Sequence, residues 1–220
     1  MKIGAIKEDF NLEKRISVVP ETVKKFVDLN FSVFIEKGYG EHLAISDEEY
    51  KSAGANLMGS PKAVLEKSSL ILTVNFLKKE TDLIKEKSCL IGQFDPHQNK
   101  ESINKLIKKD VKIFSLNLLP RITRAQSMDV LSSQANLAGY RAVIESVEEF
   151  GKAVPMMMTA AGTITPAKVL VIGAGVAGLQ SIATAKRLGA IVSATDVRAV
   201  AKEQVESLGG KFLAVEGVEN

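Results

Sequence analysis

The sequence predicts an α/β protein in which two parallel sheets are joined by a long helix. Short, apolar, β-rich runs alternate with amphipathic helical segments over the first 125 residues, and the same alternation returns after residue 168. A helical stretch of some twenty-five residues separates the two regions. Strand–helix alternation is typical of a parallel sheet with helices on both faces.

The first domain is predicted over residues 1–125 as a flavodoxin- or Rossmann-like parallel sheet. Its helices carry Lys and Glu on one face, and Pro20 suits the first turn of one of them. The predicted strands are residues 2–7, 31–36, 69–74, 88–93 and 111–116.

A linking helix is predicted over residues 126–150, where apolar residues recur at helical spacing and only Gly139 interrupts. Thr123 and Gln126 have the spacing of a capping box, so we expect the helix to begin near them. Its length suits a rod between two domains.

The second domain is predicted over residues 151–220. It opens with a connector, in which we expect Met156–Met158 to fill a gap in a core. A βαβαβ pattern follows, with strands at residues 168–173, 190–196 and 211–215. This is the first half of a Rossmann fold, since a complete one pairs two such units. We therefore expect its central strand to keep an unpaired edge, which favours aggregation.

A glycine-rich turn between the first strand and helix of this domain has the pattern G-x-G-x-x-G, at Gly173, Gly175 and Gly178. The first glycine allows the tight turn, the second lets a pyrophosphate approach the backbone, and the third lets helix and strand pack closely. The helix then opens at Val176 and Ala177, where free N–H groups and the positive end of the dipole favour phosphate. The motif predicts a dinucleotide site.

An acidic residue ends the next strand, as this kind of site requires. Asp196 is placed to accept hydrogen bonds from the adenosine ribose, and its charge would repel a 2′-phosphate, which favours NAD over NADP. Arg198 weakens that preference, and Val197 between them completes the predicted cofactor-binding segment.

A polar stretch before the long helix contains Arg121, Gln126, Asp129 and Ser132. Asp129 and Ser132 would share the first two helical turns, where cap residues and an acid are stabilising without any ligand. Residue chemistry alone leaves both explanations open, a helix cap and a ligand contact.

Composition narrows the functional classes. The chain has 220 residues, 45% hydrophobic and 25% charged, with a net charge of +3 spread along its length, so no nucleic-acid partner is expected. The single cysteine, Cys89, excludes an intrachain disulfide and is expected as a buried, inert thiol. No signal peptide and no apolar run of the ~18–20 residues needed to cross a bilayer is found, so we expect a cytoplasmic chain.

Three segments, residues 120–145, 155–190 and 194–212, closely resemble the NAD(H)-binding domain I of the alpha subunit of proton-translocating nicotinamide nucleotide transhydrogenase. The resemblance is looser but continuous over residues 1–119. Complete family members continue well beyond residue 220, so we expect a truncated chain that is inactive alone.

The resemblance implies a function for the polar stretch. Arg121, Gln126, Asp129 and Ser132 match positions that contact the nicotinamide and its ribose and meet the second nucleotide, with Gln126 and Asp129 at the catalytic position. It also implies hydride transfer from NADH to NADP⁺ held on a partner domain, coupled to proton translocation by membrane-spanning subunits. A homodimer peripheral to the inner membrane is implied as well.

Alanine dehydrogenase shares this ancestry and is the alternative. Arg15 matches an arginine that binds its substrate carboxylate, but that reaction needs an acid/base pair, a lysine and a histidine, where this chain carries Asn75 and Asp95. We expect His42 and His97 to be exposed and without a ligand role. Direct hydride transfer needs only orientation and proximity. A further alternative is a non-catalytic fragment that binds nucleotide weakly.

Overall fold

The structure is a computed structural model that describes residues 1–214. The chain divides between Met128 and Asp129 into two compact units. Both contain parallel sheets and helices, which confirms the predicted α/β class.

The first unit is built on a six-stranded parallel sheet with the order β3-β2-β1-β4-β5-β6. All five predicted strands are present, each slightly shorter than predicted. The sixth, β3, was missed because three residues are too few to show a periodic pattern. The strands are β1 (Lys2–Ala5), β2 (Ser32–Glu36), β3 (Asn56–Met58), β4 (Leu70–Leu72), β5 (Cys89–Gly92) and β6 (Lys112–Ser115).

Four α-helices connect these strands, and local sequence explains where they start. Proline occupies the first turn of two of them, and a third begins with a complete capping box between Ser46 and Glu49. They are α1 (Pro20–Asp28), α2 (Asp47–Ser52), α3 (Pro61–Lys67) and α4 (Lys100–Lys108). Short 3₁₀ helices cover Glu41–Leu43, Thr81–Leu83, Leu116–Leu118 and Thr123–Met128.

Both faces of this sheet are buried. In β2, Val33 and Ile35 enter one apolar cluster and Phe34, between them, enters the other. Side chains of a strand alternate between faces, so helices must cover both sides. The strand order reverses between β1 and β4, which makes the carboxyl ends of those strands the switch point where ligands bind in such sheets.

The second unit contains a three-stranded parallel sheet with the order β11-β10-β9 and a separate antiparallel hairpin, β7-β8. The predicted βαβαβ order is confirmed, although Val215 of the predicted last strand lies outside the described residues. The elements are α5 (Val130–Phe150), β7 (Met157–Thr159), β8 (Gly162–Ile164), β9 (Lys168–Ile172), α6 (Val176–Arg187), β10 (Ile191–Thr195), α7 (Ala201–Ser207) and β11 (Lys211–Phe212).

The open edge predicted for this sheet is present. Within residues 1–214, β9 pairs only with β10. Leu170 and Ile172 on β9 are 57% and 81% exposed. An apolar groove of about 440 Å³ lies between β9 and α5.

The long helix starts later than its capping-box spacing indicates. Thr123 begins a 3₁₀ helix, and α5 starts at Val130 with Asp129 as its N-cap. The Asp129 side chain accepts from the N–H of Ser132 at 2.9 Å, so a better cap further along the chain decides the start.

The connector is also different from the prediction. Residues 155–165 are all exposed and form the β7-β8 hairpin, so Met156–Met158 do not fill a core. Met158 is 72% exposed. The base of the hairpin is anchored by the N–H of Ala167, which donates to the carbonyl of Val154 at 2.9 Å.

Two further predictions concern membrane-spanning segments and the burial of Cys89. Among residues 1–214, every helix is too short or too polar to span a bilayer. Cys89 lies in β5 as predicted but is half-buried, and burial raises the pKa of its thiol.

Candidate functional site

The glycine-rich turn lies at the carboxyl edge of the second unit's sheet. Ile172 of β9 is in register with Thr195 of β10, so Gly173 and Asp196 follow at neighbouring strand ends. The N–H of Gly173 donates to the carbonyl of Thr195 at 2.8 Å. The two predicted halves of the site, glycine turn and acid, are thereby brought together.

Two of the three glycines are required by the fold. Gly173 has φ +93°, a conformation that side-chain-bearing residues rarely adopt. A Cβ on Gly178 would lie 1.8 Å from the carbonyl oxygen of Gly173, so helix α6 could not approach its strand.

The fold does not require glycine at the middle position, Gly175. Gly175 has φ −76°, which any residue can adopt, and no atom lies within 4 Å of the Cβ that a substitution would add. Gly175 is the N-cap of α6 and has no side chain to cap the N–H groups of Val176 and Ala177. The turn therefore offers open space in front of uncapped donors, which suits a phosphate group.

The Asp196 carboxylate bonds to both the glycine turn and Arg198. Its Oδ2 accepts from the N–H of Ala174 at 2.7 Å, which joins the acid to the glycine turn. Arg198 donates its backbone N–H and its guanidinium to the same carboxylate. These bonds, the guanidinium's first, hold the pKa of Asp196 well below its usual range, so the group is a carboxylate. Val197, between them, is 70% exposed.

The polar stretch is divided between the two units. Arg121 and Gln126 are exposed in the first unit, Gln126 within a 3₁₀ helix. Asp129 and Ser132 begin α5 in the second unit, where the Ser132 hydroxyl also donates to Asp129 Oδ2 at 2.7 Å. Asp129 is the cap of α5 here, and Ser132 is its hydrogen-bond partner. That the four residues meet a nicotinamide stays a prediction.

A close contact between α5 and α6 was not anticipated from the sequence. A Cβ on Gly139 would lie 2.1 Å from the carbonyl oxygen of Ala177, in the first turn of α6. The Ser181 hydroxyl also donates to the carbonyl of Gly139 at 2.9 Å. The helix that Asp129 caps is therefore packed directly against the helix that follows the glycine turn. The only signal was a lone glycine inside a helical pattern.

The first unit has its own cavity, of about 490 Å³, at the switch point of its sheet. Glu8, after β1, is buried there and accepts from the N–H groups of Val74 and Asn75 at 2.6 and 3.4 Å. Burial raises the pKa of Glu8, against the opposing effect of these two donors.

Arg15 is paired with Glu13, a carboxylate of the protein that lines this cavity. Its Nε and Nη2 donate to Glu13 at 2.8 and 2.6 Å, and Asn75 Nδ2 donates to the same carboxylate at 2.9 Å. The Arg15 hydrogen bond is the main reason that the pKa of Glu13 falls to about 2, against the opposing effect of burial.

The histidines take no part in this cavity. His97 is exposed in a turn, while Asp95, two residues before it, lines the cavity. His42 is exposed but ordered, since its Nε2 lies 2.7 Å from the carbonyl of Lys14 and its ring stacks on Phe10. Among the described residues around the cavity none is a histidine, and the described chain contains no acid, histidine and cysteine group suited to a metal ion.

Two family models cover almost the whole chain. "Alanine dehydrogenase/PNT, N-terminal domain" matches residues 4–138, and "Alanine dehydrogenase/PNT, C-terminal domain" matches residues 142–220.

Individual relatives are similar over the full chain but are longer. The first portion of NAD(P) transhydrogenase subunit alpha from Rhodospirillum rubrum is 50% identical over 98% of this chain and 58% of its own length. The crystal structure of transhydrogenase from Sinorhizobium meliloti superposes with a TM-score of 0.91 at 49% identity, covering 97% of this chain and 64% of that one. An L-alanine dehydrogenase structure superposes with a TM-score of 0.82 at 25% identity, covering 98% and 61%.

Proposed function

The chain belongs to the alanine dehydrogenase/PNT family of oxidoreductases, and within it we propose that the chain is the NAD(H)-binding portion of a nicotinamide nucleotide transhydrogenase alpha subunit. We prefer transhydrogenase to alanine dehydrogenase because the Rhodospirillum rubrum relative is 50% identical to this chain, while the L-alanine dehydrogenase structure is 25% identical to it. The chain spans 58% of the length of the Rhodospirillum rubrum relative. The activity that we describe below for a whole subunit is therefore also a proposal.

The observation that carries NAD(H) binding is the open space at Gly175 beside the Asp196 carboxylate. The pyrophosphate would occupy the start of α6, where Val176, Ala177 and Gly178 present their N–H groups. The ribose of the adenosine half would then meet Asp196, with Val197 and Arg198 at its side.

The nicotinamide end is assigned to the polar stretch. We propose that Arg121, Gln126, Asp129 and Ser132 orient the nicotinamide and its ribose, with Gln126 and Asp129 beside the reacting ring. The tight packing at Gly139 supports this for Asp129 and Ser132, because it fixes their helix against the one that holds the phosphates.

The chemistry proposed is direct hydride transfer from NADH to NADP⁺ on a partner domain. The cofactors supply the redox chemistry, and the protein contributes proximity and orientation, which can be worth about 7–11 kcal/mol of a barrier. Amide, carboxylate and hydroxyl side chains suffice for that task. Coupling to proton translocation, membrane-spanning partner subunits, a homodimer and a peripheral position on the inner membrane belong to the same proposal.

The first-unit cavity supports transhydrogenase over alanine dehydrogenase. Arg15, which in the alternative would bind the substrate carboxylate, is already paired with Glu13. Asn75 replaces the lysine of the acid/base pair and bonds to the same carboxylate. Reductive amination needs proton transfer from a positioned acid, an effect of about 10²–10⁴ in rate.

Isotope transfer tests the reaction. NADH carrying deuterium at C4 is mixed with NADP⁺ and with the NADP(H)-binding and membrane-spanning subunits. Either this chain or a chimera is then added. In the chimera, the residues of this chain replace the matching segment of the Rhodospirillum rubrum relative. Deuterium retained at C4 of NADPH, detected by mass spectrometry, is the expected result. Oxidation of NADH that depends on pyruvate and ammonia would contradict the proposal and support the alternative.

A conservative variant separates orientation from binding. Gln126→Asn shortens the side chain by one methylene, so transfer in the chimera should slow at least tenfold while the Kd for NADH changes less than threefold. Ser133→Ala, exposed in the first turn of α5, is the control and should leave both unchanged. Equal losses in transfer and binding would show that Gln126 does not position the ring.

A further inference from the structure

We propose that Arg198 competes with the adenosine ribose for the Asp196 carboxylate, so that a nucleotide binds only by displacing the guanidinium. The inference rests on the proposed NAD(H) site and goes beyond it by naming the residue that controls access to its ribose position. It concerns the second unit alone.

All acceptor positions of Asp196 are occupied. Oδ1 accepts from the backbone N–H of Arg198 at 2.8 Å and from its Nε at 2.9 Å. Oδ2 accepts from the N–H of Ala174 at 2.7 Å and from Arg198 Nη2 at 3.0 Å. A carboxylate offers about four such positions. A ribose hydroxyl therefore has nothing to donate to until one of these bonds is released.

The guanidinium is the partner that can leave. Ala174 is 1% exposed and its N–H is fixed by the glycine turn. The backbone N–H of Arg198 closes a local Asx turn onto Asp196 and is equally fixed. The Arg198 side chain, in contrast, is 57% exposed, while that of Asp196 is 7% exposed. Water can solvate a departing guanidinium, so breaking such a half-exposed ion pair costs little.

The exchange selects for a vicinal diol. The guanidinium donates two hydrogen bonds, and the 2′- and 3′-hydroxyls of an adenosine ribose can donate two in their place. A 2′-deoxyribose can replace only one of them, and a 2′-phosphate brings negative charge to the carboxylate instead of a donor. The ligand class predicted for this position is thus a 5′-phosphorylated adenine ribonucleoside without a 2′-phosphate.

The test compares ADP with 2′-deoxy-ADP by isothermal titration calorimetry, on the unmodified chain and on Arg198→Ala. Removing the competitor should tighten ADP binding about three- to fivefold, the loss of one exposed ion pair. The ratio of the Kd for 2′-deoxy-ADP to that for ADP should stay above one and be the same in both proteins, because both nucleotides displace the same guanidinium and differ by one hydroxyl bond. Arg187→Ala, exposed in the last turn of α6, removes the same charge elsewhere and should change neither quantity. Circular dichroism checks that the variants fold.

The outcomes separate the inference from the proposed function. Weaker or unchanged ADP binding by Arg198→Ala overturns the inference and leaves the NAD(H) site intact. A ratio of one in Arg198→Ala also overturns it, because the 2′-hydroxyl would then make no bond to Asp196. Binding measurable only in Arg198→Ala supports it. Absence of ADP and NADH binding in both proteins overturns both proposals.

Discussion

At the scale of single residues, the three glycines of one motif are required for different physical reasons. Gly173 is needed for its positive φ and Gly178 for the close approach of α6 to Gly173. Neither backbone conformation nor close packing requires glycine at position 175, because its backbone angles are ordinary and the space around it is empty. Its absence of a side chain matters only to something that binds there.

This difference predicts opposite responses to alanine. Gly175→Ala should lower the free energy of unfolding by no more than about 1 kcal/mol, the cost of alanine at an N-cap, yet weaken NADH binding at least tenfold, because its Cβ occupies the phosphate space. Gly178→Ala should lower stability by about 1–3 kcal/mol, since the Cβ meets backbone. Urea unfolding and calorimetric titration measure the two effects. If Gly175→Ala bound NADH normally, the phosphate position would be wrong.

The Glu13 carboxylate predicts an acid-sensitive cavity in the first unit. Its pKa is lowered from 4.5 to about 2 in the folded state, so its pairing stabilises the fold above pH 4.5 and is lost as the pH falls towards 2. Solvent around the half-exposed Arg15 reduces the effect to about 2 kcal/mol. Glu13→Gln should remove that contribution to the slope of unfolding free energy against pH between 4.5 and 2. An unchanged slope would show that the pair does not form in solution.

At the scale of elements, the packing of α5 depends on a residue that helix propensity disfavours. Gly139→Ala gains about 1 kcal/mol of helix propensity. The added Cβ would, however, lie 2.1 Å from the carbonyl oxygen of Ala177, a backbone atom that moves only with α6.

The clash should exceed the propensity gain, so we expect Gly139→Ala to lower the free energy of unfolding by about 1–2 kcal/mol. Gly59→Ala is the control, since no atom lies within 4 Å of its added Cβ. Thermal and urea unfolding compare the two. A stabilised Gly139→Ala variant would mean that the two helices are not in this contact.

At the scale of the whole molecule, the two units differ in how completely their sheets are enclosed. In the first unit, apolar clusters cover both faces of the six-stranded sheet, and only its edge strand β6 leaves a large apolar side chain, Phe114, 57% exposed within residues 1–214. In the second, β9 has a partner on one side only within residues 1–214, beside the apolar groove under α5. An exposed apolar edge of this kind favours association between chains.

A charge on that edge should reduce the association. Leu170, 57% exposed on β9, is changed to Lys. Light scattering should then fall at concentrations where the unmodified chain aggregates, with the circular dichroism spectrum unchanged. Ser133→Lys, at an exposed position in the first turn of α5, adds the same charge away from the edge and should leave the light scattering unchanged. Equal suppression by both variants would make net charge, and not the edge, the cause.

The sequence by itself determined the α/β class, five of the six strands of the first sheet, the βαβαβ order of the second unit, the glycine turn and Asp196, because each depends on local periodicity or on a short motif. It missed β3 and the β7-β8 hairpin, which are too short to show a period. It misplaced the start of α5, since Thr123 and Asp129 both have capping patterns and only the folded backbone selects Asp129.

Only the tertiary structure decided what depends on neighbours distant in the chain. The exposure of Met156–Met158, the contact of Gly139 with Ala177 and the pairing of Arg15 with Glu13 and Asn75 are set by packing between elements. No pattern along the chain encodes which faces meet. The saturation of Asp196 by Arg198 is of the same kind, because the number of bonds a carboxylate accepts is visible only when all its donors are in place.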